Sequence, residues 1–137
     1  MSVQKDKRRD GRLRLSVLAR NHALYVIQIT KNPKVFNPEF NHEVTDDLVR
    51  QAKDINRLLW AANNVMVNSH DDYTLRRRYQ EQAALTCNTL LADMEIAHKL
   101  FHLSAKRMKF WTEQLVEVRN RTRAWIESDA KRYKEYR

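Results

Sequence analysis

The sequence predicts an all-α protein, an antiparallel up-down four-helix bundle, on the strength of three observations. The chain of 137 residues has one glycine and two prolines, whereas sheet-rich folds need both in their turns and long helices exclude both. Apolar residues make up 42% of the chain and recur at spacings of three and four along four long segments. The connection between the third and fourth predicted helices, Phe101-His102-Leu103, is short, which makes these two helices antiparallel neighbours. A three-helix core with the first helix swapped or loosely attached is the alternative.

The N-terminal segment is polar and basic. We expect residues 1–12 to form a flexible arm and residues 13–137 to form the bundle domain. The first helix should begin near Gly11 or Leu13 and end at Asn32, because a residue before proline is pushed out of the helical region. It is apolar on two faces, and should therefore be central or covered by a second subunit. One face carries Leu13, Val17, Leu24 and Ile27, and the other carries Leu15, Leu18 and Val26.

The second helix should start between Pro38 and Thr45, after a proline-bearing connection. Thr45 suits the N-cap position, and the two aspartates after it suit the positive end of the helix dipole. Trp60 lies away from the predicted buried stripe. That stripe comprises Leu48, Ala52, Ile55, Leu59, Ala62 and Val65.

The third helix should run from about Asp72 to Leu100, and Ser104 should cap the fourth. Cys87 is the one cysteine, which excludes an intramolecular disulfide, and its spacing places it toward the core. The stripe of the third helix comprises Tyr79, Ala83, Thr86, Leu90, Met94, Ala97 and Phe101. The seam of the fourth comprises Met108, Trp111, Leu115, Val118, Thr122 and Trp125, a pattern typical of coiled coils.

The formal net charge of +9 favours a polyanionic partner: nucleic acid, an anionic membrane surface or an acidic protein. No segment approaches the ~18 consecutive apolar residues that span a bilayer, so we expect no membrane span and a cytoplasmic location. The candidate nucleic-acid-binding residues are basic side chains that could neutralise phosphates without reading bases. They are Arg12, Arg14, Arg20, Arg76, Arg77, Arg78, Lys106, Arg107, Lys109, Arg119, Arg121, Arg123, Lys131 and Arg132.

Two features of this basic set have competing interpretations. A run of three arginines at the start of the third helix opposes the helix dipole, which hints at a partner there, although a solvated face near Asp71 and Asp72 would also accommodate it. Tyr133 and Tyr136 lie among cations near the C-terminus. They could stack on unpaired bases or belong to a frayed helix end.

No set of residues converges on catalysis or metal binding. His98 and His102 stand four apart, but no HExxH motif surrounds them and the junction of two helices should fall between them. The paired aspartates lie at predicted helix starts, where acidic residues stabilise the dipole. Phosphate-cradling loops need more than one glycine. We therefore expect no catalytic residue, no metal and no cofactor.

Helices 3 and 4 carry a resemblance to a known family. The matching stretches run from Arg78-Tyr79 through Leu91–Ala97, then over Leu103–Arg107 and Arg123–Ser128. Here the sequence resembles the four-helix-bundle family that includes the accessory variability protein of diversity-generating retroelements and the protein encoded by intervening sequences of bacterial ribosomal RNA genes. The resemblance implies a barrel-like homopentamer with a basic surface for nucleic acid and, in retroelements, for a reverse transcriptase.

Two functions from different classes follow. The first is a non-catalytic, oligomeric accessory protein that binds RNA or DNA. The second is a protein-interaction module whose cationic face docks an acidic partner such as a polymerase.

Overall fold

The structure, a computed structural model, describes the backbone of residues 2–137 and the side chains from Asp10 onward. Over these residues the chain forms four α-helices and no strand, which confirms the all-α class. The helices are α1 (Ser2–Thr30), α2 (Asp46–Asn63), α3 (His70–Phe101) and α4 (Ala105–Arg132). Short turns of 3-10 or π type cover Pro38–Phe40, Asn41–Thr45 and Lys134–Tyr136. In this part of the chain, no helix combines the length and apolarity needed to cross a membrane.

The start of α1 differs from the prediction. The helix begins at Ser2, so the expected start near Gly11 or Leu13 is wrong. No proline interrupts residues 2–12, and one glycine inside a helix costs only about 1 kcal/mol. Lysine, arginine and glutamine are good helix formers, so a polar segment can extend the helix. The treatment of residues 1–12 as a separate arm stays a prediction.

Only one of the two apolar faces of α1 is buried. Leu15 and Val26 lie in the core, together with Ala19 and Ala23 between them. On the other face Leu13 is 56% exposed. The buried face packs against α2 and α4, so α1 is part of the core and the loosely attached first helix is excluded.

The chain enters α2 through a π turn, and this changes the role of Thr45. Its backbone is already helical, with φ −63° and ψ −42°, and its side chain caps nothing. The predicted N-cap is therefore wrong, because the preceding turn supplies the helical geometry. Asp46 and Asp47 do occupy the first turn. The predicted stripe is buried from Leu48 to Ala62, whereas Val65 lies beyond the helix end and is half-buried.

Side-chain caps fix the ends of α3 and α4. The Ser69 hydroxyl accepts a hydrogen bond from the Asp72 N–H at 3.1 Å, so α3 starts two residues earlier than predicted. His102 ends this helix in the left-handed conformation, with φ 53°. The predicted cap at Ser104 is confirmed, since its hydroxyl accepts from the Arg107 N–H at 3.2 Å.

The predicted stripes of α3 and α4 supply much of the core. Leu90, Met94, Leu115 and Val118 are buried there, and Cys87 is buried as its spacing predicts. The two ends of the α4 seam, Met108 and Trp125, are half-buried and pack against this cluster.

Candidate nucleic-acid interface

A buried ion pair joins α3 to α4 at the end of the bundle where α4 terminates. The Arg76 guanidinium donates two hydrogen bonds to the Asp129 carboxylate, at 2.8 Å from Nε and 2.9 Å from Nη2. Gln80 donates a third bond to the same carboxylate at 2.8 Å. Both charges are removed from water, so neither could be buried without the other.

Aromatic rings lie beside the buried guanidinium. Its central carbon is 4.9 Å from the centroid of the Trp125 ring and 5.5 Å from that of Tyr133. Arg132 lies 5.0 Å from the Tyr133 ring. Such contacts between cations and ring faces are favourable, the more so when water is excluded. The aromatic rings therefore hold two arginines of different helices close together.

The C-terminal tyrosines lie at the end of α4 and in the turn that follows it. The Tyr133 N–H donates to the Asp129 carbonyl at 2.8 Å, and residues Lys134–Tyr136 continue as a 3-10 turn. The His70 ring nitrogen Nδ1 lies 2.7 Å from the Tyr136 carbonyl oxygen. This contact ties the chain end to the start of α3.

The arginine run on α3 divides into three environments. Arg76 is only 3% exposed, so its prediction as a surface contact for nucleic acid is wrong: its charge is already neutralised by Asp129. Arg77 is half-buried and donates to Glu81 and to the Tyr73 hydroxyl, both at 2.8 Å, and these bonds raise its pKa. Of the three, Arg78 is the exposed one.

An open pocket of about 190 Å³ lies over the ion pair, between α1 and α4. Four of the predicted site residues line it: Arg12 from α1, Arg76 from α3, and Arg121 and Arg132 from α4. Its apolar wall is formed by Leu15, Ala124 and the Trp125 ring, and Ser128 adds a hydroxyl group. The lining residues of α4 share one face of the helix, because they are spaced by four, three and four residues. They are Arg121, Trp125, Ser128 and Arg132.

Positive charge in this pocket exceeds negative charge. Among the described residues, Asp129 is the one carboxylate in its lining, and Arg76 and Gln80 already occupy both oxygens. Burial lowers the pKa of Arg12, and the charges of Arg76 and Arg132 lower it further. The lowered pKa means that the charged form of Arg12 is destabilised in the pocket. An anion bound there would relieve the repulsion between the cations.

The other predicted residues lie outside this pocket. Exposed positions are Arg14, Arg20, Arg78, Lys106, Lys109, Arg123 and Lys131. Arg107 and Arg119 are half-buried, and Arg119 donates to the Asn88 amide oxygen at 3.0 Å. Arg20 borders a groove between α1 and α2, beside Leu13 and Trp60. The structure thus brings four of the predicted residues together and spreads the rest over several faces.

Sequence reasoning missed the residues that organise the pocket. The seam pattern predicts Trp125 as an ordinary core residue and assigns no role to Asp129 or Gln80. A signal existed: Asp129 falls four residues after Trp125, so it continues the seam. Arg76 likewise falls seven residues before Ala83 of the α3 stripe. A charged residue at a core position on each of two helices indicates a buried pair.

Two buried titratable side chains lie elsewhere in the core. The Trp111 indole N–H donates to Nε2 of His22 at 3.3 Å, and burial lowers the pKa of His22 to about 4. Burial raises the pKa of Cys87 to about 12, although Arg119 and Arg123 oppose the shift. Within the described residues, no group of three or more His, Cys, Asp or Glu side chains is placed to hold a metal ion.

Comparison with known proteins gives no family assignment. No protein-family model matches the chain, and neither a curated protein nor a solved structure is significantly similar to it.

Proposed function

We propose that the protein is a non-catalytic accessory protein that binds RNA or DNA with low sequence specificity in the cytoplasm. The observation that carries the proposal is the set of exposed cations on α4 that form no ion pair. Among the described side chains, Lys106, Arg123, Lys131 and Arg132 are exposed and form no ion pair. Cations that are not neutralised internally remain available to phosphates.

The ion pairs elsewhere on α4 do not neutralise this surface. Arg121 is 3.2 Å from Glu117, and Lys109 is 4.0 Å from Glu113. Both pairs are solvent-exposed, and such pairs contribute about 0–1 kcal/mol. A phosphate can therefore replace either carboxylate as the partner of the cation at little cost.

The resemblance of helices 3 and 4 to the retroelement accessory-protein family suggests how this surface is used. We propose an antiparallel up-down bundle that assembles into a homopentamer, with a reverse transcriptase as a further partner. Large exposed apolar side chains on several helices support assembly, since such surface is often buried between subunits. They include Leu13 and Leu24 on α1, Trp60 on α2 and Phe110 on α4. Light scattering tests this assembly, and a monomer mass would contradict it.

Charge removal on α4 tests nucleic-acid binding. We expect the variant Lys106→Gln/Arg123→Gln/Lys131→Gln to bind labelled single-stranded RNA more weakly, and to a similar extent for every sequence. Each lost phosphate contact should reduce the slope of log affinity against log salt concentration by about 0.7. Fluorescence anisotropy at several salt concentrations measures both quantities.

A matched control removes the same charge from α2. The variant Arg50→Gln/Lys53→Gln/Arg57→Gln changes three exposed cations of that helix and lowers the net charge equally. We expect it to retain the salt slope of the unaltered protein. Equal weakening in both variants would contradict an interface on α4, and absence of binding even at low salt would contradict the proposed function.

A protein-interaction module that docks an acidic partner such as a polymerase is the second candidate. The side chain that favours it is Phe110, which is exposed on α4 next to Lys109. Its ring centroid lies 5.0 Å from that of Tyr25, with the two rings at 68° to each other. Exposed aromatic side chains are enriched at protein interfaces. A partner that stays bound in a pull-down after nuclease treatment, and is lost in Phe110→Ala, would favour this function over nucleic-acid binding.

A further inference from the structure

The pocket between α1 and α4 has a chemical character that differs from the rest of the basic surface. Several of the predicted cations are exposed outside the pocket, where they can contact any part of a polyanion. Here, by contrast, arginines from three helices line one pocket together with Leu15, Ala124 and Trp125. Arg12 and Arg132 have no carboxylate partner among the described side chains, because Asp129 is occupied by Arg76 and Gln80.

From this arrangement we propose that the pocket binds one nucleotide unit, with its phosphate between Arg12 and Arg132 and its base against the Trp125 wall. The inference rests on the proposed function, and specifies a ligand for one part of the surface. The unit can be a free nucleoside monophosphate or the phosphorylated end of a strand, since both present the same phosphate and base.

The chemistry of the lining favours a phosphate over other anions. A planar guanidinium group presents paired N–H donors that match two phosphate oxygens, and two such groups can serve a terminal phosphate with two negative charges. Arg121 and the Ser128 hydroxyl lie on the same rim. The buried Arg76 contacts the carboxylate instead, so it acts as a positioning residue that holds Trp125 and Asp129 in place.

The volume and the apolar lining of the pocket favour a small aromatic group next to that phosphate. Its volume of about 190 Å³ is below the range of roughly 300–1,000 Å³ that is typical of sites for drug-sized ligands. The wall consists of Leu15, Ala124 and the half-buried Trp125 ring. Bases bind aromatic side chains by stacking with little regard to sequence, so the pocket should accept any base.

Competition binding with defined probes tests the inference. The probes are a labelled 12-nucleotide RNA with a 5′-phosphate, the same RNA with a 5′-hydroxyl, adenosine 5′-monophosphate and inorganic phosphate. We expect the 5′-phosphate to increase affinity about tenfold, the lower end of the gain from charge-assisted hydrogen bonds. The monophosphate should abolish this gain at concentrations at least tenfold lower than inorganic phosphate requires.

Two variants separate the pocket from the surrounding surface. Arg12→Gln/Arg132→Gln should lose the preference for the 5′-phosphate and the response to the monophosphate. The control Arg50→Gln/Arg57→Gln removes the same charge from exposed positions of α2 outside the pocket, and it should keep both. Circular dichroism checks that each variant retains the helical content of the unaltered protein.

The outcomes distinguish this inference from the proposed function. If RNA binds but neither the 5′-phosphate nor the monophosphate has an effect, the pocket is not a nucleotide site, although the nucleic-acid interface stands. If the monophosphate binds in the pocket while no RNA binds, the pocket is a nucleotide site and the proposed nucleic-acid interface is contradicted. Binding of the monophosphate without a preference for the phosphorylated strand assigns the pocket to free nucleotides. Equal competition by inorganic phosphate, or equal losses in both variants, would overturn the inference.

Discussion

Replacing Asp129 by asparagine would leave the Arg76 guanidinium buried without a counter-ion. The two side chains are 4% and 5% exposed, so water cannot solvate the remaining charge. Removing one partner of a buried ion pair costs about 3–5 kcal/mol in unfolding free energy. The introduced amide would also present its own N–H donors to the donors of Gln80 and Arg76. We therefore expect Asp129→Asn to lower the unfolding free energy by about 4 kcal/mol.

Removing both charges together should have a much smaller effect. The variant Arg76→Met/Asp129→Leu replaces the pair by apolar side chains that can pack between Trp125 and the α3 core. Such replacements are often neutral or stabilising by about 1–4 kcal/mol. Part of any gain is offset by the loss of the ring contacts of Arg76, which are worth up to about 2 kcal/mol. The double-mutant cycle should thus give a coupling energy of about 3 kcal/mol or more.

Urea unfolding followed by circular dichroism measures these free energies, at one fixed protein concentration because assembly would add to stability. The control is the exposed pair of Arg50 and Asp47, whose side chains are 62% and 48% exposed. Asp47→Asn should cost less than about 1 kcal/mol. A cost for Asp129→Asn as small as that of the control would refute the claim that burial makes this pair critical.

Three further predictions concern the core and a helix cap. Because the pKa of His22 is about 4 in the folded state and 6.5 is its ordinary value, the unfolded chain binds the extra proton between these pH values. The contribution of neutral His22 to the free energy of unfolding should therefore be fully present above about pH 6.5. This free energy should fall by about 3 kcal/mol as the pH drops to 4. Urea titrations should show this fall in the exposed-site control His70→Gln but lose most of it in His22→Gln, and a fall unchanged in both would contradict the assignment. The buried Cys87 thiol, whose pKa is raised to about 12, should react with a chromogenic disulfide reagent only after unfolding, and rapid reaction of the native protein at pH 8 would contradict its burial. Ser104→Ala should lower the unfolding free energy by about 1 kcal/mol, and no loss would show that its bond to the Arg107 N–H contributes little.

Much of the fold could be predicted because helical geometry relates near neighbours in sequence. The seam from Trp111 to Thr122 and the stripe from Leu48 to Ala62 are buried as predicted, since residues three and four apart share a face whatever the helix packs against. The cap at Ser104 could likewise be predicted, because a cap bonds within its own first turn. The helical conformation of Thr45 could not be predicted, since it depends on the preceding π turn.

The candidate site was predicted as a set of charges but not as an arrangement. Arg12, Arg121 and Arg132 were all among the predicted contacts, and their meeting in one pocket depends on how α1 and α4 lie side by side. The same packing decides which apolar face of α1 is covered, leaving Leu13 exposed and Leu15 buried.

The sequence by itself determined that this chain is helical, where most of its buried stripes lie, and that its surface is strongly basic. These properties follow from composition and from periodicity within single helices. Only the tertiary structure decided that Arg76 is an internal cation rather than a surface contact. Its partner Asp129 is 53 residues away along the chain, and no local rule of helix geometry relates two residues at that separation.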